Sequence, residues 1–168
     1  MAKSCLPAIP LAIFGVIEPA MLVWAYIIAH RDLPSFYAAQ APNHLHPSSS
    51  PVPAPALVLL LQLVNVYLLL AAVAVVCSWT THASVSRGYL VAVAFADYGH
   101  VWACYKGVGP DLFWDLSRWN DMLWGAVGVS LALNVFRWLT VLGAFGSVRD
   151  PRDPAGAVAT GGPAKKNA

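Results

Sequence analysis

Charged residues are scarce in this sequence. Only 11% of its 168 residues are Asp, Glu, Lys or Arg, whereas 58% are hydrophobic and the mean hydropathy is +0.61. A soluble domain carries about 25% charged residues, so the composition excludes an ordinary water-soluble fold and indicates a membrane protein. The net charge of only +2 does not indicate the basic surface that binds nucleic acid, and we expect no nucleic-acid partner.

Motifs for cofactors, metals and activated nucleophiles are also missing. Cys5, Cys77 and Cys104 have no paired spacing, so they predict neither a disulfide framework nor a zinc site. We interpret them as small buried hydrophobic residues. No phosphate-binding glycine loop, nucleophile elbow or HExxH sequence occurs. We therefore expect any chemistry to proceed without a cofactor or a metal.

Four long apolar runs make up most of the chain. They are Leu6–Ala29, Ala56–Trp79, Gly88–Tyr105 and Leu123–Phe145. Each is close to the roughly 20 residues that span a bilayer core as a helix, although the third is the shortest and most interrupted. The first is longer than the apolar part of a signal peptide and lacks a following cleavage site, so we expect it to be retained.

The predicted fold is therefore an all-α, integral membrane four-helix bundle over residues 1–146. Residues 147–168 are rich in Gly, Pro, Ala and charge, which predicts a disordered tail. With a cytosolic N-terminus, six basic residues lie on the cytosolic side and three on the other: Lys3, Arg87, Arg149, Arg152, Lys165 and Lys166 against Arg31, Lys106 and Arg118. This bias favours both termini in the cytosol, with the loop Pro42–Pro55 on the opposite side.

Two carboxyl groups interrupt the apolar runs near mid-depth. Glu18 lies in the first run and Asp97 in the third, and a carboxylate at that depth is costly unless it faces a bundle interior or a wet cavity. His100 lies three residues after Asp97 and so on the same helix face. We expect these three residues to line a polar cavity in which one carboxyl acts as an acid and the other as a base.

Polar pairs at the same spacing occur in the second and fourth runs. Gln62 and Asn65 form one pair, and Asn134 and Arg137 form the other. One interpretation brings Asn65 and Asn134 to the cavity as substrate-binding groups, and the alternative makes the amides interhelical hydrogen-bonding groups. Arg137, close to the cytosolic end of its run, is expected to extend its guanidinium toward the membrane surface.

The segment Lys106–Met122 mixes acids with aromatic residues and leads into the fourth run. Its candidate site residues are Trp114, Asp115, Trp119, Asn120, Asp121 and, just beyond it, Trp124. If the segment folds over the mouth of the bundle, Asp121 joins the catalytic groups and the others contact the substrate. Alternatively the segment is an interfacial aromatic belt in which Asn120 or Asp121 caps the fourth helix.

Four stretches of the sequence have a joint resemblance to a known group. They are IEPAMLVWAYIIAH, QLVNVYLLLA, ADYGHVWACY and FWDLSRWNDMLWGAVG. Together, over roughly Leu6 to Phe145, the chain resembles a family of small fungal four-span membrane proteins of largely undefined function. Its architecture is also similar to the EXPERA-type membrane proteins, which include the emopamil-binding sterol isomerases.

The resemblance implies a function as well as an architecture. EXPERA-type isomerases use intramembrane acids and a histidine to move protons, and Glu18, Asp97 and His100 would be the corresponding groups here. Small membrane proteins of fungal polyketide and terpenoid pathways act as epoxide hydrolases or cyclases. By this analogy we expect a cofactor-independent enzyme of the endoplasmic reticulum that hydrolyses, cyclises or isomerises an apolar metabolite. The alternative is a non-catalytic sterol- or lipid-binding membrane protein.

Overall fold

Helices are the only regular elements in the part of the chain that the structure describes. That part of the computed structural model comprises residues 4–44, 47 and 50–150. The elements are α1 (Ala8–Arg31), α2 (Leu33–Ala39), α3 (Ala54–Ser78), α4 (Ala83–Val108), α5 (Pro110–Phe113) and α6 (Asp121–Val141), with a 3-10 turn at Leu116–Arg118. The predicted all-α class is confirmed.

Three helices, α1, α3 and α6, are long and apolar enough to cross a membrane. They coincide with the first, second and fourth apolar runs, and they make this a membrane protein by length and composition. Helix α4 has 26 residues, which corresponds to about 39 Å of helix. Its length would suffice, but it is less apolar than the other three and is not among the candidate spans.

The four long helices contact one another in chain order, and α1 also touches α6, which closes the arrangement. Only Trp79–His82 separate α3 from α4, so these two helices form an antiparallel pair. Many large apolar side chains point outward, including Trp24, Leu59 and Val76, which are 60%, 67% and 69% exposed. Such an apolar exterior suits a lipid environment better than water.

Both described chain ends lie at the turn between α3 and α4. The amide of Cys5 donates to the carbonyl of Thr80 at 3.1 Å, and the amide of Arg149 donates to the carbonyl of Cys5 at 3.3 Å. Val148 is buried in the apolar cluster that surrounds Cys5. Residues 147–150 therefore pack onto the helices, beyond the predicted domain boundary at 146. Residues 151–168 lie outside the described residues, and disorder there stays a prediction.

Separate apolar clusters fill the two ends of the molecule. At the end where the two described chain ends lie, Phe14, Ala74 and Leu90 are buried together. At the other end, one cluster centres on Leu123 and Val127, and a second contains Ala29, Phe36, Leu60 and Val64. Buried polar residues adjoin the first of these clusters, because Arg137 lies over the ring of Phe14.

Candidate functional site: a carboxyl–guanidinium cluster

Arg137 joins the carboxyl groups of Glu18 and Asp97. Its Nη1 donates to Asp97 Oδ2 at 2.7 Å, and its Nη2 donates to Glu18 Oε1. The exposed fractions of the Arg137, Glu18 and Asp97 side chains are 1%, 9% and 13%. The two acids thus bind the two terminal nitrogens of one guanidinium, and this contact connects α1, α4 and α6.

Asn134 and Phe14 also lie beside this ion pair. The Asn134 side-chain amide donates to Asp97 Oδ2 at 3.3 Å and to the carbonyl of Ala94 at 2.7 Å. The ring centroid of Phe14, which is fully buried, lies 5.3 Å from Arg137 Cζ, within range of a cation–π contact. We call Glu18, Asp97, Asn134 and Arg137 the Arg137 cluster.

Helical spacing explains how α4 and α6 meet here. Ala94 and Asp97 are three residues apart on α4, and Asn134 and Arg137 are three apart on α6, so each pair occupies one helix face. The two faces are packed against each other. The predicted convergence of Asp97 with Asn134 is thus present in the structure.

Glu18 reaches the cluster from an irregular part of α1. It directly follows a π-helical turn at Ile13–Ile17 and precedes Pro19. π-helical turns inside α-helices are rare and frequently lie at functional sites. The turn supplies Phe14 to one side of the guanidinium, and the residue after it supplies the carboxylate.

The charges of the cluster do not balance if both acids are ionised. Two carboxylates and one guanidinium sum to −1, whereas one shared proton would make the cluster neutral. Among the described residues, Glu18 Oε2 and Arg137 Nε are buried without a hydrogen-bond partner. These two atoms therefore have hydrogen-bonding capacity that the four residues of the cluster do not use.

Two of the expected polar contributors lie elsewhere. Asn65 is exposed on α3, as is Gln62, so the expectation that Asn65 faces a polar cavity with Glu18 and Asp97 is wrong. His100 is exposed one turn beyond Asp97 on α4. It therefore lies outside the buried cluster.

Arg137 is the residue whose role the sequence analysis missed. Its guanidinium is buried rather than extended toward the membrane surface, so the expected orientation is wrong. A count of charges within the four apolar runs could have predicted this ion pair. The runs contain two acids, Glu18 and Asp97, and Arg137 is the single Lys or Arg among their residues. Buried carboxylates need a paired cation, and this residue was the available one.

The polar residues before α6 make local contacts of their own. Asp115 Oδ1 accepts from the amide of Ser117 at 3.2 Å and caps the 3-10 turn. Asn120 Oδ1 accepts from the amide of Leu123 at 2.9 Å, and its Nδ2 donates to the carbonyl of Ala39 at 3.0 Å. The interpretation of Asn120 as the N-cap of α6 is confirmed.

Asp121 is exposed in the first turn of α6. It precedes Arg137 by 16 residues, which corresponds to about 24 Å along the helix. The hypothesis that Asp121 joins Glu18 and Asp97 is therefore wrong, because these residues lie at different depths.

The three tryptophans of this region also remain away from the Arg137 cluster. Trp119 Nε1 donates to the carbonyls of Leu112 and Phe113 at 3.3 and 3.2 Å. Its ring centroid lies 5.1 Å from that of Trp124, and Trp114 is 76% exposed. The alternative of an interfacial belt stays a prediction, based on the preference of indole rings for the boundary between membrane and water.

An open apolar groove of about 690 Å³ runs between α1 and α3. Its lining includes Pro19, Ala20 and Val23 from α1, and Leu68, Ala72 and Val76 from α3. Pro19 is the neighbour of Glu18 in the chain, so the groove lies beside the segment that carries one acid.

Residues 3–147 match the model of a family described as a domain of unknown function, DUF7704. The chain belongs to the DUF7704 family. All four residues of the Arg137 cluster lie within the matched range. No curated protein and no solved structure matches the chain.

Proposed function

We propose that this DUF7704 protein is a membrane-embedded acid–base enzyme that acts on an apolar metabolite. We further propose that its reaction is the opening of an epoxide, either by water or by a hydroxyl of the same molecule. The observation that carries the proposal is that Glu18 and Asp97 bind the two terminal nitrogens of the one Arg137 guanidinium. An acid and a base held side by side in an apolar environment are the groups that such a reaction requires.

In this mechanism one carboxyl, in its protonated form, donates its proton to the epoxide oxygen as the C–O bond breaks. The oxygen of water, or of the internal hydroxyl, bonds to the released carbon and gives its proton to the other carboxylate. The product is a diol or a cyclic ether that bears a hydroxyl. One carboxyl has lost a proton and the other has gained one, so a proton transfer between them restores the starting state.

The surrounding residues have separate roles in this scheme. Arg137 holds the two acids at a fixed separation, and Asn134 fixes the orientation of Asp97 through Oδ2. Asp97 is the more exposed acid, and His100 follows it by three residues on the same helix, so we assign this pair to the removal of the proton from the nucleophile. Glu18 is then the proton donor, and the groove beside Pro19 is the access route for an apolar substrate.

We extend the proposal to a four-span topology, with α4 as the remaining span and both termini in the cytosol. The pairing of Asp97 with Arg137 supports it, because a paired charge costs less in the membrane than an isolated one. The two described chain ends and the α3–α4 turn lie on one side, and the basic residues favour that side as cytosolic. The endoplasmic reticulum is the proposed location.

Glycosylation mapping tests this topology. An acceptor sequence inserted into the loop Pro42–Pro55 should be modified, and the same sequence inserted after residue 150 should stay unmodified. Modification of the tail insertion would overturn the proposed orientation.

A non-catalytic sterol- or lipid-binding protein is the second candidate, and the apolar groove between α1 and α3 favours it. Glu18→Gln and Asp97→Asn distinguish the two functions in microsomes supplied with a panel of apolar epoxides, with Asp121→Asn as the control. For an enzyme, both cluster variants should lose product formation while the control retains it. For a binding protein, no product forms in any sample, and a photoactivatable sterol probe should label wild type and both variants equally.

A further inference from the structure

Pro19 leaves a carbonyl group in α1 without its usual donor. In a regular helix the amide of residue 19 would donate to the carbonyl of Gly15, four residues earlier. Proline has no amide hydrogen, so this bond cannot form. The π-helical turn at Ile13–Ile17 includes Gly15 and ends directly before Glu18.

Trp79, which follows the last residue of α3, supplies a replacement donor. Its indole Nε1 donates to the Gly15 carbonyl at 3.0 Å. The indole is not held in place by burial, because Trp79 is 53% exposed. This specific hydrogen bond to α1 therefore accounts for its orientation.

Gly15 is the residue that permits this approach. A Cβ atom at this position would lie 2.9 Å from Trp79 Nε1 and 3.3 Å from Ser78 Cβ, and a separation under 3.0 Å requires one of the groups to move. The three residues are thus complementary. Pro19 lacks the usual amide donor, Trp79 supplies another donor, and Gly15 leaves space for the indole.

The π turn also determines the direction in which Glu18 points. Successive residues of an α-helix are about 100° apart around the axis, so loss of the extra residue in the turn would rotate Glu18 by about that angle relative to the start of α1. With the turn in place, Phe14 and Glu18 contact the same guanidinium of Arg137.

We propose that Trp79 is a positioning residue: by donating to the Gly15 carbonyl, it stabilises the π turn that directs Glu18 at Arg137. The proposal goes beyond the proposed function and does not depend on catalysis, because it concerns the orientation of Glu18. Its test needs no substrate, so a failure of the enzymatic proposal and a failure of this one are distinguishable.

The test is the reaction of Glu18 with dicyclohexylcarbodiimide, an apolar reagent for carboxyl groups in membranes, in the purified full-length protein. Mass spectrometry quantifies the modified Glu18. Trp79→Phe keeps an aromatic ring but removes the donor, and we expect it to increase Glu18 labelling several-fold. Trp24→Phe is the matched control, since Trp24 is exposed on the same helix as Glu18, and it should leave labelling unchanged.

Pro19→Ala provides the decisive second background. It returns an amide hydrogen to position 19, so the Gly15 carbonyl no longer depends on the indole. Trp79→Phe should then cause no further change in labelling. If Trp79→Phe raises Glu18 labelling equally in the wild-type and Pro19→Ala proteins, or in neither of them, the proposal is overturned.

A loss of folding is also informative in this design. If Trp79→Phe alone fails to accumulate, the Pro19→Ala/Trp79→Phe double variant should accumulate because the carbonyl has its donor again. Failure of the double variant as well, with Pro19→Ala accumulating normally, would contradict the proposed role of Trp79.

Discussion

Two polar regions of this protein look similar in sequence but differ in how they are built. The Arg137 cluster joins side chains from α1, α4 and α6 that are up to 119 positions apart in the chain. In the segment before α6, Asp115 and Asn120 accept hydrogen bonds from amides only two and three residues away. The first region is buried, and the second lies at the end of the helices with its acids partly or fully exposed.

The difference follows from the location of each acid relative to the apolar runs. An acid inside a membrane-spanning helix has no local backbone donor available, because the helix uses its own amides, so it must find a partner on another helix. An acid in a loop can cap the next turn. The same residue types therefore build a long-range site in one region and local structure in the other.

The largest expected effect comes from removing the cation of the buried region. Arg137→Met leaves two buried carboxyls without their partner, and we expect a loss of about 3–5 kcal/mol in the free energy of unfolding. Thermal unfolding of the purified protein in detergent, together with its accumulation in membranes, measures the effect. Arg118→Met, an exposed arginine in the loop region, is the matched control and should change little.

Neutralising the acids should partly reverse that loss. The triple variant Arg137→Met/Glu18→Gln/Asp97→Asn has no unpaired charge and should be more stable than Arg137→Met alone. If the triple variant is less stable than the single one, the ion-pair description of the cluster is incorrect.

A second prediction concerns the close contact beside Glu18. Gly15→Ala should reduce stability by about 1–3 kcal/mol, because its Cβ would overlap the Trp79 indole. Gly99→Ala is the control, since a Cβ at residue 99 in α4 meets no atom within 4 Å. It should be neutral or slightly stabilising, because alanine favours helix. Equal unfolding temperatures for the two variants would contradict the close contact.

The loop region should respond more weakly. Asn120→Ala removes the N-cap of α6 and is expected to lower stability by about 1 kcal/mol, with turnover unchanged per folded molecule. Asn65→Ala, which alters an exposed asparagine, is the control for loss of an amide. A drop in turnover that exceeds the loss of folded Asn120→Ala protein would place the loop in the functional site after all.

The smallest expected effect is the pH dependence of the cap of α2. Hydrogen bonds from Ser35 hold the pKa of Asp32 below its ordinary value of 3.8, so this cap contributes stability above that pH and loses it as the pH falls through the lowered value. The protection of the amides of α2 against hydrogen exchange, measured relative to their intrinsic rates, should fall in that acidic range. In Asp32→Asn the asparagine can still cap the helix but does not titrate, so this variant should abolish the pH dependence. If the pH dependence is unchanged in the variant, a group other than Asp32 causes it.

The sequence was sufficient to predict most of the fold. The four apolar runs locate the four long helices to within a few residues at most of their ends. The clearest difference is α4, whose helix extends well beyond the run Gly88–Tyr105 to Ala83–Val108. The packing of Ser147 to Asp150 was not predictable, because it depends on contacts with Cys5 and the start of α4.

The site was only partly predictable, for a physical reason. Spacing within one helix correctly predicts that Asn134 and Arg137 share a face, and that Asp97 lies on the face of α4 that meets them. It could not show which helix faces meet, and so Asn65 was assigned inward and Arg137 outward. The spacing of the apolar residues does not predict the π turn before Glu18. Gly15 and Pro19, which accompany this turn in the structure, are the residues that could have indicated it.

The most direct test of the account is a double-mutant cycle on turnover with Glu18→Gln, Asp97→Asn and the combined variant. Product formation from apolar epoxides is measured in microsomes at matched protein levels. If the two carboxyls act as one unit on Arg137, each single variant should lose about 10²–10⁴-fold in rate, and the double variant should be no slower than the worse single variant. A normally accumulating single variant that retains the wild-type rate, or losses that multiply in the double variant, would contradict the account.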